Sequence, residues 1–302
     1  MKSLTMTHPV LRFFVKEELL LLLVALFWGT SYGLTKSALI YTSVLLFIAI
    51  RFLSTHLILL YVTVKDFKAG LNKDWPIALP TGFLLLGIFC CEVYGVSLTS
   101  AANAAFLISL SIIITAGLEG FLSKQKVDKR LYLLAFMSLI GVIALTYKGG
   151  LDITMNQGDW LILGAAFLRG LMVILTKALC QNKAITNLSL TSIQSLIVGL
   201  GALALAFISL SIEHIQLPKD PRFWLISLYL VLFCTLFAFF IQNYAVRRIS
   251  ATKVSLLMGS EPLFGALFAI IFLGEGFTWV QAIGGTLIFI SISYATQMKH
   301  QS

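Results

Sequence analysis

The chain has 302 residues, of which 59% are hydrophobic and 12% are charged, and its mean hydropathy is +0.95. Soluble domains carry roughly 25% charged residues, so this composition excludes a soluble globular protein and favours one that exposes apolar side chains to lipid. The net charge of +9 does not indicate a nucleic-acid partner, because the basic residues are scattered in short segments between apolar runs.

Apolar segments recur along the whole chain. A helix needs about 20 apolar residues to cross the hydrocarbon core of a bilayer. The segments that satisfy this length are residues 17–39, 42–64, 75–98, 102–122, 129–147, 159–180, 187–209, 223–246, 251–272 and 277–297. The first is too long for the core of a signal peptide, and no small-x-small cleavage motif follows it, so we interpret it as a retained helix. The pattern predicts an all-α membrane protein with ten transmembrane helices.

The connections between these segments are short, which predicts that no soluble domain is inserted. The four cysteines lie in or at the ends of apolar segments, and no CxxC or Cys/His spacing occurs. They therefore predict neither a disulfide framework nor a metal site, and we expect no cofactor.

Lysine and arginine are distributed unequally between the two ends of the predicted helices. Sixteen of the 22 lie at ends and loops on the side of the N-terminus, four lie on the opposite side, and Arg51 and Arg169 lie within spans. Cytoplasmic loops of membrane proteins carry the excess of basic residues. Both termini are therefore predicted to face the cytoplasm, and we expect the protein in the inner (plasma) membrane.

The two halves of the chain resemble each other. Residues 25–36, ALFWGTSYGLTK, align with residues 166–177, AFLRGLMVILTK, and Ser100-Ala101 aligns with Ser250-Ala251. Each half contains five predicted spans, and because five is odd, the second copy enters the membrane from the opposite side. Inverted repeats are typical of secondary transporters with a substrate site near the bilayer midplane. We predict one five-helix repeat at residues 17–147 and a second at residues 159–297.

Several motifs together resemble a known family. Residues 25–36 contain Trp-Gly and end in lysine, and FIAIRF follows at residues 47–52. Residues 261–275, EPLFGALFAIIFLGE, combine a proline-containing helix with a Leu-Gly-Glu ending, and Gln281 and Gly284 follow in the tenth segment. These features are similar to those of EamA-type members of the drug/metabolite transporter superfamily.

The resemblance covers nearly the whole chain. It implies a fold of two inverted five-helix repeats, with export of amino acids or related metabolites as the commonest activity. The first half departs from the pattern, because Ile112 and Gln125 stand where the second half has Pro262 and Glu275. The sequence therefore does not support a kink in the fourth span or an identical mechanism in the two halves.

Four charged residues lie within predicted spans: Arg51, Glu92, Arg169 and Glu261. A charge at the centre of a membrane helix costs about 2.5–3.5 kcal/mol on insertion scales, so such residues usually face a cavity or a partner. An arginine fork suits a carboxylate and a carboxylate suits an ammonium, so the four can bind a zwitterion. They can equally pair with one another and hold helices together. Arg169 and Glu261 are the two that we favour for a substrate or coupling site.

Aromatic and polar residues extend the candidate site. Trp28 lies in the middle of the first span, away from the interface where tryptophan usually anchors helices, and either lines a cavity or packs between helices. His56 could relay protons or act as a structural hydrogen-bond partner. The remaining candidates for a cavity wall, each equally able to link helices, are Tyr94, Asn103, Gln194, Gln242 and Asn243. Pro262 removes a backbone donor from the ninth span, and a break there would expose polar backbone to a cavity.

These features predict a secondary active transporter of a small-molecule substrate, an exporter working by alternating access in membrane lipid. No Gly-x-x-x-x-Gly-Lys-Ser/Thr motif occurs, so ATP does not drive it directly, and no catalytic residue is predicted. We expect an amino acid or a derivative as substrate. The alternatives are another metabolite (a sugar, a nucleotide-sugar or a drug-like cation), a non-transporting membrane protein, and an intramembrane enzyme, whose usual motifs are absent from the sequence. The sequence does not indicate an oligomeric state.

Overall fold

The structure, a computed structural model, describes residues 16–122, 128–146, 155–209, 216–273 and 278–298. These residues form helices joined by short turns, and none of them lies in a strand. The helices are α1 (Lys16–Ala38), α2 (Val44–Lys68), α3 (Ala78–Leu98), α4 (Ala101–Ser109), α5 (Ser111–Leu122), α6 (Lys129–Thr146), α7 (Gln157–Cys180), α8 (Asn187–Ser209), α9 (Pro221–Val231), α10 (Ala238–Val246), α11 (Ala251–Met258), α12 (Glu261–Leu273) and α13 (Trp279–Gln297). A 3-10 turn at Trp75–Ile77 precedes α3, and a π-helical turn at Leu232–Phe237 joins α9 to α10.

Nine helical stretches among the described residues are long and apolar enough to span a bilayer. They coincide with nine of the predicted segments, and the chain is a multi-pass helical membrane protein. The remaining segment, residues 251–272, is divided into α11 and α12, with Gly259 and Ser260 between them. Because α12 begins at Glu261, Pro262 stands in its first turn, where the missing N–H costs no helical hydrogen bond. Gln125 and Glu275 lie outside the described residues.

The fourth predicted span is also interrupted, although it contains no proline. α4 ends at Ser109, α5 begins at Ser111, and Leu110 forms the turn between them. The physical reason lies in the packing of this turn against the interruption of the second half. Ile112 is fully buried, and a Cβ atom added at Gly259 would overlap its side chain. The two interruptions therefore meet inside the bundle, and the fourth span is interrupted at Leu110, where no proline or glycine marks a break.

Helices from the two halves of the chain pack against each other throughout. α2 packs on α8, α3 on α7, α6 on α13 and α1 on α12, so each of these pairs joins the first half (residues 16–146) to the second half (residues 155–298). The backbones of α1 and α12 approach each other closely. A Cβ atom at Gly29 would stand 2.8 Å from the carbonyl oxygen of Glu261 and 2.8 Å from the amide nitrogen of Gly265. The bundle is thus one body with a long interface between its halves.

Polar contacts fasten the two halves at the face of the bundle where α1 begins, which we call the N-terminal face. Asp66 accepts hydrogen bonds from the hydroxyls of Thr186 (2.6 Å) and Ser189 (3.1 Å). Asp74 accepts one from the backbone N–H of Ala184 (2.8 Å), and this bond, with the Lys183 ammonium 3.5 Å away, holds the pKa of the Asp74 carboxyl below its ordinary value. A lowered pKa means that the contact persists as pH falls until that pKa is reached.

A second group of contacts closes the same face around α1 and α11. Lys253 donates from its ammonium to Glu18 at 2.6 Å and to the carbonyl oxygen of Met298 at 2.9 Å. Glu119 accepts hydrogen bonds from the backbone N–H groups of Ala251 (2.9 Å) and Thr252 (2.7 Å). These N–H groups lie in the first turn of α11, where the helix itself provides no acceptor. Glu119 therefore has a structural role as a cap of α11.

Candidate functional site

A cavity lies inside the bundle between the two halves. Its wall consists of Trp28, Ser31 and Tyr32 of α1, Arg51 of α2, Leu85, Ile88, Phe89 and Glu92 of α3, Arg169 and Met172 of α7, Phe239 and Gln242 of α10, and Glu261 of α12. The wall side chains approach so closely that the remaining space holds about one or two water molecules. A larger solute can enter this space only when the helices move apart.

One ion pair crosses the cavity wall. A terminal nitrogen of Arg169 lies 2.5 Å from Oε1 of Glu261, and the hydroxyl of Tyr32 donates to Oε2 of Glu261 at 2.9 Å. The guanidinium of Arg169 also covers the ring of Trp28, with 4.3 Å between Cζ and the ring centroid. Glu261 is the first residue of α12, where the helix dipole stabilises a negative charge. Both oxygens of this carboxylate are therefore occupied.

Gly29 brings these groups together. It lies directly after Trp28 and one turn before Tyr32 on α1, and it permits the contact of α1 with the backbone of α12. A side chain at position 29 would push Glu261 away from Tyr32. The Trp-Gly motif thus combines an aromatic wall residue with the glycine that lets the ninth-span backbone approach it.

The π-helical turn anchors the second arginine. Arg51 donates from Nε to the hydroxyl of Thr235 at 2.6 Å and from Nη2 to the carbonyl oxygen of Cys234 at 3.2 Å. Trp28 donates from its indole nitrogen to the same carbonyl at 2.8 Å. The guanidinium carbon of Arg51 lies 5.1 Å from the centroid of the Phe89 ring. π-helical turns are frequent at functional sites, and this one holds an arginine and a tryptophan of the cavity wall.

Arg51 and Glu92 are not paired like Arg169 and Glu261. Arg51 is 4% exposed, and within the described residues its partners are a hydroxyl, a carbonyl and aromatic faces rather than a carboxylate. Glu92 makes no hydrogen bond or ion pair with any residue that the structure describes. The four charges in the wall therefore separate into a closed pair and two unpaired groups of opposite sign.

The structure brings together Trp28, Arg51, Glu92, Arg169 and Glu261, and it adds Gln242 from the polar candidates. The other candidates lie outside the cavity wall. His56 contacts the hydroxyl and carbonyl of Ser192 through Nδ1 at 3.0 and 3.2 Å, which links α2 to α8. Tyr94 and Asn103 are exposed on the outside of the bundle.

Gln194 and Asn243 belong to a separate network between helices. The Asn243 amide donates to the side-chain oxygen of Gln194 at 2.9 Å and to the hydroxyl of Thr191 at 3.0 Å. The Gln194 amide donates in turn to the hydroxyl of Thr81 at 2.9 Å. These hydrogen bonds join α3, α8 and α10, and neither Gln194 nor Asn243 belongs to the cavity wall.

Several residues around the cavity are not among the candidates predicted from the sequence. Tyr32 could have been found, because it follows Trp28 by four residues and so lies on the same face of α1. Cys234 and Thr235 carry no comparable signal, since their contribution depends on a π-helical turn that neither proline nor glycine marks.

Comparisons with known proteins agree with this architecture. The model of the EamA-like transporter family matches residues 15–147 and again residues 156–296. An uncharacterized transporter of Archaeoglobus fulgidus is 28% identical over 298 residues, which cover 95% of this chain and 99% of the relative. A protein of Salmonella typhimurium described as a probable amino-acid metabolite efflux pump is 25% identical, with 92% of this chain and 93% of the relative covered.

A solved crystal structure shows the same fold. It superposes with a TM-score of 0.77 at 15% sequence identity and covers 92% of this chain and 96% of its own. At this identity the likeness shows the fold alone. The match of the family model to both halves shows more: the chain belongs to the EamA-like transporter family.

Proposed function

We propose that this transporter is a secondary active exporter of a small zwitterionic metabolite, an amino acid or an amino-acid derivative. The observation that carries the proposal is the cavity between the two halves, whose wall holds two guanidinium groups and two carboxylates. Charged groups inside a membrane protein mark substrate or ion pathways. The residues proposed for substrate binding or coupling are Trp28, Arg51, Glu92, Arg169 and Glu261.

The balance of charge in the wall favours a zwitterion. Two positive and two negative side chains leave no net charge, whereas a sugar phosphate or a nucleotide carries about two negative charges and needs an excess of bases. The aromatic side chains of Trp28, Phe89 and Phe239 in the wall suit an apolar or aromatic side chain better than a polyol. The similarity to a probable amino-acid metabolite efflux pump supports the same substrate class.

The proposed mechanism is alternating access between two inverted repeats, residues 17–147 and 159–297. Two observations support the repeats. The family model matches twice, once in each half. In addition, an interrupted helix occurs in each half, and the side chains of Ser100 and Ser250 cap its start in the same way, by accepting from the backbone N–H three residues later.

The contacts at the N-terminal face support the proposal that this side is closed in this conformation. The bonds of Asp66 to Thr186 and Ser189, and of Lys253 to Glu18, all join the first half to the second. We propose that such contacts hold the two halves together at that face. We propose an inner-membrane protein with both termini in the cytoplasm, so that this face is cytoplasmic.

Counterflow in liposomes tests the substrate class. Vesicles containing the purified protein and an unlabelled amino acid are expected to accumulate the labelled amino acid, and other amino acids are expected to compete. Nucleotide-sugars, sugars and quaternary ammonium compounds are not expected to compete. Protein-free vesicles control for leakage. Exchange of a nucleotide-sugar without exchange of any amino acid would overturn the substrate class, and product formation without flux would overturn transport.

Labelling of single cysteines tests the orientation. Lys73 and Lys219 are both exposed and lie at opposite faces of the bundle. In a background in which Cys90, Cys91, Cys180 and Cys234 are replaced, Lys219→Cys should react with an impermeant reagent on intact cells, and Lys73→Cys should react only after permeabilisation. The reverse pattern would refute the orientation.

A further inference from the structure

The two arginines of the cavity wall differ in what remains free on the guanidinium group. Arg169 is neutralised by Glu261 at 2.5 Å, and its face is covered by Trp28. Using it to hold a substrate carboxylate would require breaking a buried ion pair, which leaves the Glu261 charge uncompensated. Arg169 is therefore poorly suited to bind and release a ligand in each cycle.

Arg51 keeps one edge of its guanidinium free. Its bonds to Thr235 and to the Cys234 carbonyl come from Nε and Nη2, the two nitrogens whose hydrogens point along the side edge of the planar group. The end edge, formed by Nη1 and the second hydrogen of Nη2, offers two parallel N–H donors, which is the geometry that binds a carboxylate bidentately. Nη1 donates to no residue that the structure describes, and Arg51 belongs to the cavity wall.

The partners of Arg51 also leave its charge available. A hydroxyl, a carbonyl and an aromatic ring orient the guanidinium without neutralising it. Arg51 is nevertheless buried inside the membrane-spanning bundle, where an uncompensated charge is costly. An anionic group that enters the cavity therefore gains a strong, pre-oriented partner. Glu92, in the same wall and equally without an ion-pair partner among the described residues, offers the complementary charge.

We infer that, among the residues proposed for substrate binding or coupling, Arg51 holds the carboxylate of the substrate and Glu92 receives its ammonium. Arg169 and Glu261 then contribute to the site as a fixed pair that shapes the cavity and do not bind the substrate directly. This assignment rests on the proposed function and deepens it, because it makes a free carboxylate a requirement of recognition. Thr235 is a positioning residue, since it directs the end edge of Arg51 by holding the side edge.

The requirement for a carboxylate can be measured as a ratio. Removing one partner of a hydrogen bond to a charged group lowers the affinity for the ligand about 10- to 100-fold. An amino acid should therefore inhibit counterflow about 10- to 100-fold more strongly than its carboxamide, which keeps the ammonium and the side chain but lacks the negative charge. We call the quotient of the two inhibition constants the carboxylate preference.

Variants of the two arginines separate the possibilities. Arg51→Gln should abolish the carboxylate preference while inhibition by the carboxamide stays close to that of the wild type. Thr235→Ala should reduce the preference several-fold. Thr63→Ala is the matched control, because Thr63 is a buried threonine of α2 whose hydroxyl bonds only within its own helix, and it should keep the wild-type preference.

The outcomes distinguish this inference from the proposed function. Absence of amino-acid counterflow by the wild type would sink the proposed function. A wild-type protein that transports amino acids, with a preference that survives in Arg51→Gln and disappears in Arg169→Gln, would overturn the assignment alone. If Arg51→Gln does not fold, Arg51→Lys tests the assignment instead, because lysine keeps the positive charge but lacks the two parallel N–H donors of the guanidinium group. A preference unchanged in both Arg51→Lys and Thr235→Ala overturns the inference, and a reduced one supports it.

Discussion

Each half of the chain places one arginine and one glutamate in the cavity wall, but the two halves use them differently. In the second half, Arg169 and Glu261 pair at 2.5 Å. In the first half, Arg51 binds the π-helical turn and Glu92 makes no ion pair within the described residues. The two halves therefore differ in how their buried charges are paired: the second half forms an ion pair, and the first half has none between Arg51 and Glu92.

The backbone around the two glutamates explains part of this difference. Glu261 is the first residue of α12, so its carboxylate is near a helix N-terminus and directly beside the close contact of α1 with α12. Glu92 lies inside α3, where the backbone N–H groups are already used by the helix and offer no similar stabilisation. Among the described residues, only the second half has an interruption that brings a carboxylate into the site; at the corresponding interruption of the first half, Ser111 stands in the place of Glu261.

Two matched substitutions give the largest expected difference between the halves. Glu261→Gln removes one partner of a buried ion pair and should lower the free energy of unfolding by about 3–5 kcal/mol, because Arg169 is left uncompensated. Glu92→Gln removes a charge without an ion-pair partner among the described residues and should leave stability unchanged or raise it. Both should lose amino-acid transport. Thermal unfolding in detergent together with counterflow measures both effects.

The double variant Arg169→Gln/Glu261→Gln is the control for that comparison. If the loss in Glu261→Gln comes from an uncompensated charge, removing both charges should recover part of the stability. Equal unfolding temperatures for Glu261→Gln and Glu92→Gln would show that the two glutamates are equally compensated, contrary to the structure.

The next effect concerns the glycine that lets α1 approach α12. Gly29→Ala places a Cβ atom 2.8 Å from two backbone atoms, which cannot rotate away, and overpacking of this kind costs about 1–3 kcal/mol. We expect Gly29→Ala to lower stability by the upper part of that range and to reduce transport, because Glu261 is displaced from Tyr32. Unfolding temperature and counterflow rate are the measurements.

Gly33→Ala is the matched control on the same helix. Nothing lies within 4 Å of a Cβ atom at position 33, and alanine is a better helix former than glycine by up to about 1 kcal/mol. This variant should be as stable as the wild type or more stable. A Gly29→Ala protein that behaves like Gly33→Ala would contradict the close approach of α1 to α12.

Sequence reasoning found the charged residues of the site but not how they divide. Length and hydropathy located nine spans that the structure also has, since apolar length is a property of the chain itself. Arg51, Glu92, Arg169 and Glu261 could be identified as candidates because each places a charge within a predicted span. A charge buried in a membrane is costly wherever it occurs, so it usually faces a cavity or a partner. Which of them pair depends on how helices distant in sequence rotate toward one another, and one sequence does not contain that information.

The same limit explains the polar candidates and the interruptions. Gln194 and Asn243 are polar residues in apolar helices, like Gln242, but only the packing decides which of them face the cavity and which face a neighbouring helix. Pro262 signalled the break in the ninth span. The turn at Leu110 had no proline or glycine to mark it, because its geometry is matched to the second interruption rather than encoded by a local breaker.

The contact between the two interruptions predicts a smaller, compensable effect. Gly259→Ala should lower the free energy of unfolding by about 1–3 kcal/mol, because the new Cβ atom overlaps the buried side chain of Ile112. Ile112→Ala alone should also destabilise, since it leaves a cavity. Combined, the two substitutions should cost less than the sum of the single ones, and additive costs would show that the interruptions do not touch.

The smallest expected effect separates packing from hydrogen bonding at that same crossing. The hydroxyl of Thr115 donates to the carbonyl oxygen of Ser111 at 2.7 Å and lies 3.1 Å from the hydroxyl of Ser255, so it links α5 to α11 across the two halves. Thr115→Val keeps the shape of the side chain and removes only the hydroxyl. A hydrogen bond between neutral groups contributes about 0.5–1.5 kcal/mol, and Ser255 retains a weaker contact with the Ser111 carbonyl at 3.4 Å, so the loss should lie near the lower end of that range. Counterflow should be preserved, because neither hydroxyl belongs to the cavity wall.

Thermal unfolding of Thr115→Val, Ser255→Ala and the double variant measures the coupling between the two hydroxyls. A Thr115→Val protein that folds normally but does not transport would contradict this expectation. It would show that the polar contacts between the interrupted helices take part in the transport cycle, in addition to the packing of Ile112 against Gly259.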